Sequence, residues 1–243
     1  MDILIALFAS VAFALVFRTP LVRRSGIFYG CALAVGMVFL SGVLFQISPN
    51  LNRELLPFLR RAIFPYALFV VVMYIGVLPE SRLRSYLMPA RGPLSVVATL
   101  LVLCHMVSYL EVYASVAVGG FSTAAASTAA ALILAVALAV LLAVLTFTSL
   151  NNVRRRMSGA VWRGVQKSAY LFFGLVTLHA VVLLLPSAVA GSPSLLAVSV
   201  YSGIFILYAI LRLGRWAAAR SGQAFPSAVD REPVLESVAA CES

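Results

Sequence analysis

The sequence predicts an all-α integral membrane protein, a bundle of about seven transmembrane helices. Hydrophobic residues make up 63% of its 243 positions and charged residues only 11%, whereas a soluble domain is roughly half apolar and a quarter charged. The apolar residues form continuous runs and do not alternate with polar ones, which disfavours strands as membrane-crossing elements. Helices are therefore the elements expected to cross the bilayer.

Seven apolar stretches are long enough, or nearly so, to cross a hydrocarbon core about 30 Å thick, which takes about 20 helical residues. They lie near residues 1–17, 27–45, 63–78, 94–118, 129–147, 168–186 and 195–213. The third stretch is short, and the segment NRELLPFLRRA before it is expected either to begin that helix or to lie along the membrane interface. The first is interpreted as an uncleaved anchor, because Asp2 stands before it and arginines follow it.

The basic residues between these stretches predict the orientation. Lys and Arg number three in 18–26, three in 46–62, three in 79–93, five in 148–168 and four from Arg212 onward, with none in 119–128 or 187–194. With the N-terminus outside, 15 of these residues are cytoplasmic and 3 are not, which is the positive-inside pattern. We therefore expect an N-out/C-in protein of the bacterial cytoplasmic membrane. Its net charge of +10 is attributed to topology and not to nucleic-acid binding.

The two histidines, His105 and His179, both lie inside apolar stretches, where an imidazole is costly unless it is paired or ligated. Each lies 11 residues beyond the cytoplasmic start of its helix, at Leu94 and Ser168. At about 1.5 Å per residue, both are therefore roughly 16–17 Å deep. Two level imidazoles on two helices match the axial positions of a b-type haem, and they equally match a histidine hydrogen-bond network.

Two segments carry a family resemblance. ARGPLSVVATLLVLCHMVSYLEVY resembles the haem-bearing third helix of the ferric-reductase-like transmembrane family, with a basic-Gly start and a mid-helix histidine followed by tyrosine. LTFTSLNNVRRRMSGAVWRGVQKSAYLFFGLVTLHAV resembles that family's Thr-Ser helix end, basic loop, R-x-x-G-x-x-W start and final membrane histidine. The matching positions are Thr148, Ser149, Arg156, Gly159, Trp162, Tyr170 and His179. Over roughly residues 27–213 the pattern is most similar to haem-b membrane subunits that feed electrons to periplasmic methionine sulfoxide reductase.

The resemblance implies three regions: an extra N-terminal helix and basic loop at 1–26, a six-helix haem-binding domain at 27–213, and a flexible cytoplasmic tail at 214–243. It implies one haem b held by His105 and His179 in an electron-transfer subunit. Such a subunit takes electrons from quinol or a donor subunit and passes them to an extracytoplasmic reductase. The chain departs from the subfamily at Gln166, where a histidine 13 residues before the last one is usual. Gln166 is thus a lost ligand position and a candidate for lining a quinone or flavin pocket.

Other polar residues each have two readings. Arg60 and Arg61 are candidate partners of the haem propionates, or they anchor the end of a helix. Glu111 is the acid inside a predicted span, which suits proton release from quinol, or it is simply interfacial. Tyr109 is expected to hydrogen-bond near the macrocycle or to pack against its neighbours. Cys104, beside His105 but on another helix face, is interpreted as a buried packing residue.

Two functions compete with electron transfer. A haem-free transporter or channel would be expected to carry several intramembrane charges or helices broken by Gly and Pro. An assembly or scaffold subunit would keep the fold and lose electron transfer. Both stay open at the level of sequence.

Overall fold

The computed structural model describes residues 2–119, 125–149, 151–192 and 194–220. Within these ranges the protein is helical and contains no strand. Its helices, in chain order, are α1 Asp2–Val16, α2 Arg18–Arg23, α3 Ser25–Leu40, α4 Val43–Ile47, α5 Pro49–Arg60, α6 Ile63–Val77, α7 Arg82–Leu87, α8 Arg91–Gly119, α9 Ala126–Ser149, α10 Asn151–Arg154, α11 Gly159–Gln166, α12 Ser168–Val189 and α13 Ser194–Arg220. A 3-10 turn, Met88–Ala90, joins α7 to α8.

Each of the seven apolar stretches is helical, forming α1, α3, α6, α8, α9, α12 and α13. Four helical segments are long and apolar enough to cross a membrane: Arg82–Ser108, Ala126–Ser149, Gly159–Val189 and Ser194–Arg220. A fifth is added if α5 and α6 are counted as one bent span. Helices α1 and α3 are apolar but shorter. The chain is thus an all-helical protein with the helices of a multi-pass membrane protein, as its composition predicts.

The segment NRELLPFLRRA is a helix of its own, within α5, which meets α6 at an angle of 45°. The break lies at Ala62, whose φ of 54° is in the left-handed region. A residue with a Cβ adopts that region only at a cost of roughly 1–2 kcal/mol. Because the helical hydrogen bonds of α5 end at this turn, carbonyl groups in its last turn have no partner within the helix.

Helix α6 is the central helix of the bundle. Every residue from Tyr66 to Met73 is buried, and α6 packs against α1, α8 and α13. Helix α12 packs between α9 and α13, and α3 packs on α8. The peripheral helices expose large apolar side chains, including Phe8 at 78% and Leu213 at 63%. Large exposed apolar surfaces of this kind are those that face lipid.

Helices α3 and α8 approach closely beside His105. A Cβ placed on Gly36 would lie 2.6 Å from Sγ of Cys104, so the absence of a side chain at Gly36 allows this contact. Cys104 is 3% exposed. It occupies the packing role that the sequence predicts for it.

Helix α13 continues to Arg220, past its predicted end at residue 213. The guanidinium of Arg220 lies over the ring of Trp216, 3.9 Å from the ring centroid, one helical turn away. Contacts between residues four apart support a helix. Residues 214–220 of the predicted flexible tail are therefore helical, and its remainder lies outside the described residues.

Candidate functional site

A large, partly open apolar cavity lies between the helices of the bundle. Its volume is about 830 Å³, within the range typical of cofactor and ligand sites, about 300–1,000 Å³. Side chains of α1, α6, α8, α9, α12 and α13 line it, and most of them are aliphatic or aromatic. His105 and His179 both line this cavity. The fold thus brings together the two histidines that lie 74 positions apart in the sequence.

His105 lies at the midpoint of α8. Its Nδ1 is 2.6 Å from the backbone carbonyl oxygen of Arg60, at the end of α5. A carbonyl oxygen can only accept a hydrogen bond, so Nδ1 of His105 donates. The carbonyl is available because α5 ends there and leaves it outside a helical ladder.

His179 lies near the midpoint of α12 and is 8% exposed. Its Nδ1 is 3.1 Å from the backbone carbonyl oxygen of Ala131 on α9. By the same reasoning, Nδ1 of His179 donates to that oxygen, which has a second lone pair for its own helix. The two histidines therefore use the same kind of partner, contributed by two different helices.

These bonds determine which ring nitrogen can bind a ligand. With the proton on Nδ1, the lone pair of a neutral imidazole is on Nε2. Among the described residues, neither Nε2 atom has a hydrogen-bond partner. Histidines that ligate metals almost always donate their other ring N–H to a carbonyl, a carboxylate or water. Both histidines thus have the arrangement of a metal ligand.

The described part of the chain offers no further cluster of ligands. Within it, no three His, Cys, Asp or Glu side chains are grouped so that they could hold a metal ion. A structural zinc ion takes four protein ligands, and a catalytic one takes three. A pair of imidazoles instead matches the two axial positions of a haem.

Aromatic and basic groups surround His105. The ring of Tyr109 lies 5.1 Å from the imidazole ring, measured between centroids. The guanidinium of Arg60 is 5.6 Å from the centroid of the Tyr109 ring, whereas Arg61 lines the cavity itself. The two arginines predicted as propionate partners are therefore placed differently, and the backbone of Arg60, not its side chain, touches a histidine.

Glu111 lies on the exposed surface of α8. Among the described residues it forms no ion pair and accepts no hydrogen bond. It does not line the cavity that contains the histidines. Its predicted role in proton release stays a prediction.

The structure adds a polar pair that sequence reasoning missed. The hydroxyl of Tyr66, which lines the cavity, is 3.4 Å from Oγ1 of Thr177, two residues before His179. Both residues are buried. No sequence signal marks this pair, because one tyrosine and one threonine within apolar helices are common packing residues.

Gln166 and the motif residues around it lie elsewhere, where the C-terminal end of α9 packs against α11. Nε2 of Gln166 donates to the hydroxyl oxygens of Thr148 and Ser149, each at 3.3 Å. The indole N–H of Trp162 donates to the carbonyl of Thr148 at 3.2 Å. The Thr-Ser and tryptophan positions of the motif thus meet in space, and they fasten α11 to α9.

Gln166 lines neither the histidine cavity nor a second, smaller cavity of about 370 Å³. Its amide hydrogens are used in the bonds to Thr148 and Ser149. Its predicted place in a quinone or flavin pocket therefore stays a prediction.

Comparisons with known proteins leave the family of this chain open. No protein-family model matches it, and no solved structure matches it. A protein from Treponema pallidum (strain Nichols), described as an uncharacterized protein, is 34% identical over 171 residues. The matched region is 70% of this chain and 48% of that protein. The chain therefore spans about half the length of this relative.

Proposed function

We propose that this chain is a membrane cytochrome b subunit that holds one b-type haem between His105 and His179. One observation carries the proposal: two imidazoles in one apolar cavity each donate through Nδ1 to a backbone carbonyl, which leaves both Nε2 atoms free. The aliphatic and aromatic lining suits the faces of a macrocycle. Arg61 in that lining suits the acidic propionate groups. The residues present therefore fit this cofactor.

The resemblance to the ferric-reductase-like family supports the same reading. Its motif residues Thr148 and Trp162 are joined by a hydrogen bond, which is what a motif with a common structural role would do. Within the family, the proposal places the chain nearest the haem-b subunits that serve a periplasmic methionine sulfoxide reductase. Gln166 is the position at which it departs from them.

The proposal includes seven membrane spans, with the N-terminus outside and the C-terminus in the cytoplasm. In support, all seven apolar stretches are helical, and basic residues concentrate on one side of them. In this orientation Arg60 and Arg61 lie toward the outer face. Electrons would then leave the cavity on the side of an extracytoplasmic reductase.

The two histidines would fill both axial positions of the iron, which leaves no open position for a substrate. A six-coordinate b-type haem supplies reversible one-electron transfer. The carbonyls of Arg60 and Ala131 would orient the two imidazoles and increase their basicity. The apolar lining would exclude water, and the positive charge of Arg61 would favour the reduced state.

The electron donor under this proposal is quinol or a separate donor subunit. The end of the bundle that contains Gln166 has no histidine, so a complete chain of haems across the membrane is not expected. A carrier other than a second haem, such as a quinone or flavin, would have to supply the electron there. Glu111 is the residue proposed to release a proton if the donor is quinol.

The proposal is tested on the full chain purified in a non-ionic detergent. The dithionite-reduced minus oxidised spectrum should show a b-type haem, and electron paramagnetic resonance of the oxidised protein should show low-spin iron with two imidazole ligands. A redox titration should be reversible and involve one electron. A folded preparation without haem would favour the transporter, and a haem that is not redox-active would favour the scaffold.

A further inference from the structure

A second cavity forms an apolar groove along the outside of α6. Its volume is about 370 Å³, and side chains of α1, α6, α7 and α13 line it. All its lining residues are apolar except Tyr74, whose hydroxyl donates to the carbonyl of Ile204 at 2.7 Å. The groove therefore offers no unsatisfied polar group to a ligand. It suits a hydrocarbon chain.

Arginines gather where this groove ends. Leu78 and Leu83 line the groove, and Nη1 of Arg215 donates to the carbonyl of Leu78 at 2.5 Å and to that of Gly76 at 3.3 Å. Nε of Arg91 donates to the carbonyl of Val72 at 3.0 Å. Arg215 thus binds carbonyls at the C-terminal end of α6, where the helix dipole is negative, and the guanidinium of Arg91 lies against Gly76 in the last turn of that helix.

The remaining groups of this cluster are Arg84, Arg212 and Glu80. Arg84 and Arg212 lie close enough to Arg91 and to Arg215 for repulsion between like charges. Glu80 pairs with Nη1 of Arg84 at 3.0 Å. Arg84 is thus the arginine of this group that pairs with the carboxylate of Glu80, and none of the four arginines is fully exposed. Repulsion between such groups is screened less than at an open surface.

Arg84 has a buried hydrogen-bond donor that no residue of the described chain satisfies. Its Nε is buried and has no hydrogen-bond partner. Buried polar groups almost always have a partner, so an unsatisfied donor needs an explanation. The neighbouring residue, Leu83, lines the groove. Leu87, at the end of the same short helix, lines the groove as well, so Arg84 belongs to a helix that contributes two leucines to the channel.

We propose that the groove and the arginine cluster together bind one anionic phospholipid. An acyl chain would lie along α6 between α1 and α13, and the phosphate would be held by Arg84 and its neighbours. Arginine forms strong, charge-assisted bonds to phosphate. Basic pockets between membrane helices on the cytoplasmic side are known places for anionic head groups. This site is separate from the histidine cavity and does not depend on a bound haem.

The apolar groove favours a lipid over a free anion as the ligand of the arginines. Inorganic phosphate would satisfy the arginines but would leave the apolar channel without a role. A zwitterionic lipid would fill the channel but would add a positive group next to four arginines. An anionic lipid satisfies both features.

The test measures lipid binding to the full chain in non-ionic detergent by native mass spectrometry. The probes are phosphatidylglycerol, phosphatidylcholine with the same acyl chains, and inorganic phosphate as a competitor. Phosphatidylglycerol should bind in preference to phosphatidylcholine, and phosphate at the same concentration should not displace it. Equal binding of the two lipids, or displacement by phosphate, would overturn the proposal.

Three substitutions sharpen the test. Arg84→Gln should weaken phosphatidylglycerol binding about fivefold, the usual effect of one basic group near an anionic head group. Glu80→Gln should strengthen it, because it removes the competing carboxylate. Arg155→Gln is the matched control, since Arg155 is exposed and lies in another loop. Equal losses in Arg84→Gln and Arg155→Gln would contradict a specific site.

The groove itself needs its own variant. Val11 lines the groove and is 46% exposed, so Val11→Trp should fill the channel without disturbing the core. We expect this substitution to weaken binding of phosphatidylglycerol. Unchanged lipid binding in Val11→Trp would mean that the acyl chain lies elsewhere, which contradicts the proposal.

Discussion

Helix α9 is held by polar groups at two places, to α12 near its start and to α11 at its end, and the two places differ. Near the start of α9, the carbonyl of Ala131 accepts from Nδ1 of His179, and Nε2 of that imidazole stays free. At the other end of α9, Gln166, just before α12, donates from one amide nitrogen to two hydroxyl groups. The first link leaves a lone pair available to a ligand. In the second link the amide hydrogens of Gln166 are already bonded, and the side chain has no ring nitrogen that could bind a ligand.

Under the proposed function, this difference would account for a single haem site in the bundle. A histidine can hold its helix and bind a metal at the same time, because its two ring nitrogens are separate. The amide nitrogen of a glutamine has no basic lone pair and can only donate. Gln166 therefore holds α11 to α9 through its amide but offers no lone pair on nitrogen to a metal.

The largest expected effect is on haem content, which should depend on the two histidines and not on Gln166. His105→Ala or His179→Ala should abolish haem binding, because each removes one of two ligands. Gln166→Ala should keep the wild-type ratio of haem to protein. The measurement is the ratio of Soret to protein absorbance in purified protein. Wild-type haem content in either histidine variant would contradict the assignment.

The converse substitution, at Gln166, tests whether a histidine there is enough to create a second haem site. Gln166→His introduces an imidazole, yet the chain's own histidines, His105 and His179, are the proposed ligands of the first haem, so no histidine is left to pair with it. We therefore expect no additional haem, and a loss of stability of about 1–3 kcal/mol because the bonds to Thr148 and Ser149 are removed. Haem content and thermal unfolding in detergent measure the two effects. A second haem in this variant would show that the site needs only one histidine.

A smaller effect is expected from the packing behind His105. Gly36→Ala places a Cβ against Sγ of Cys104, and overpacking of this kind costs about 1–3 kcal/mol. Gly30→Ala, on the same helix, meets no atom within 4 Å and is the matched control. Thermal unfolding of the two variants gives the comparison.

A second substitution, at Cys104, should relieve the overpacking that Gly36→Ala creates. Cys104→Ala combined with Gly36→Ala should recover much of the lost stability, because the sulfur is removed. Failure of this double variant to recover stability would mean that the contact between α3 and α8 is not the cause.

The smallest expected effect lies at the bend beside Arg60. Ala62→Gly relieves a left-handed alanine but adds freedom to the unfolded chain, so a net gain of roughly 0.5 kcal/mol is expected. Ala114→Gly, inside α8, should instead lose about 1 kcal/mol. Unfolding midpoints under one set of conditions compare them. A loss at Ala62 equal to that at Ala114 would contradict the positive φ.

Much of the fold could be predicted from the sequence, because long apolar runs specify helices in a membrane. Counting residues along two such runs predicts that His105 and His179 lie at one depth, and the structure places both in the lining of one cavity. Three features could not be predicted. Backbone carbonyls, such as that of Arg60, carry no signal in the sequence. The left-handed turn at Ala62 lacks the glycine that usually marks one. The donors of Gln166 find partners only once α9 and α11 are packed together.

The arginines show the same limit of sequence reasoning. Their distribution predicts orientation, but it does not reveal that Arg91 and Arg215 bind carbonyls of α6 or that Arg84 and Arg212 lie within electrostatic range of both. Residues of three helices make that cluster, and only the packing brings them together.

The number of haems per polypeptide tests the central claim most directly. Pyridine-haemochrome absorbance, divided by protein concentration from amino-acid analysis, gives this number for the purified full chain. The proposed arrangement predicts one haem b per chain. A value of zero in folded protein, or a value of two, would contradict it.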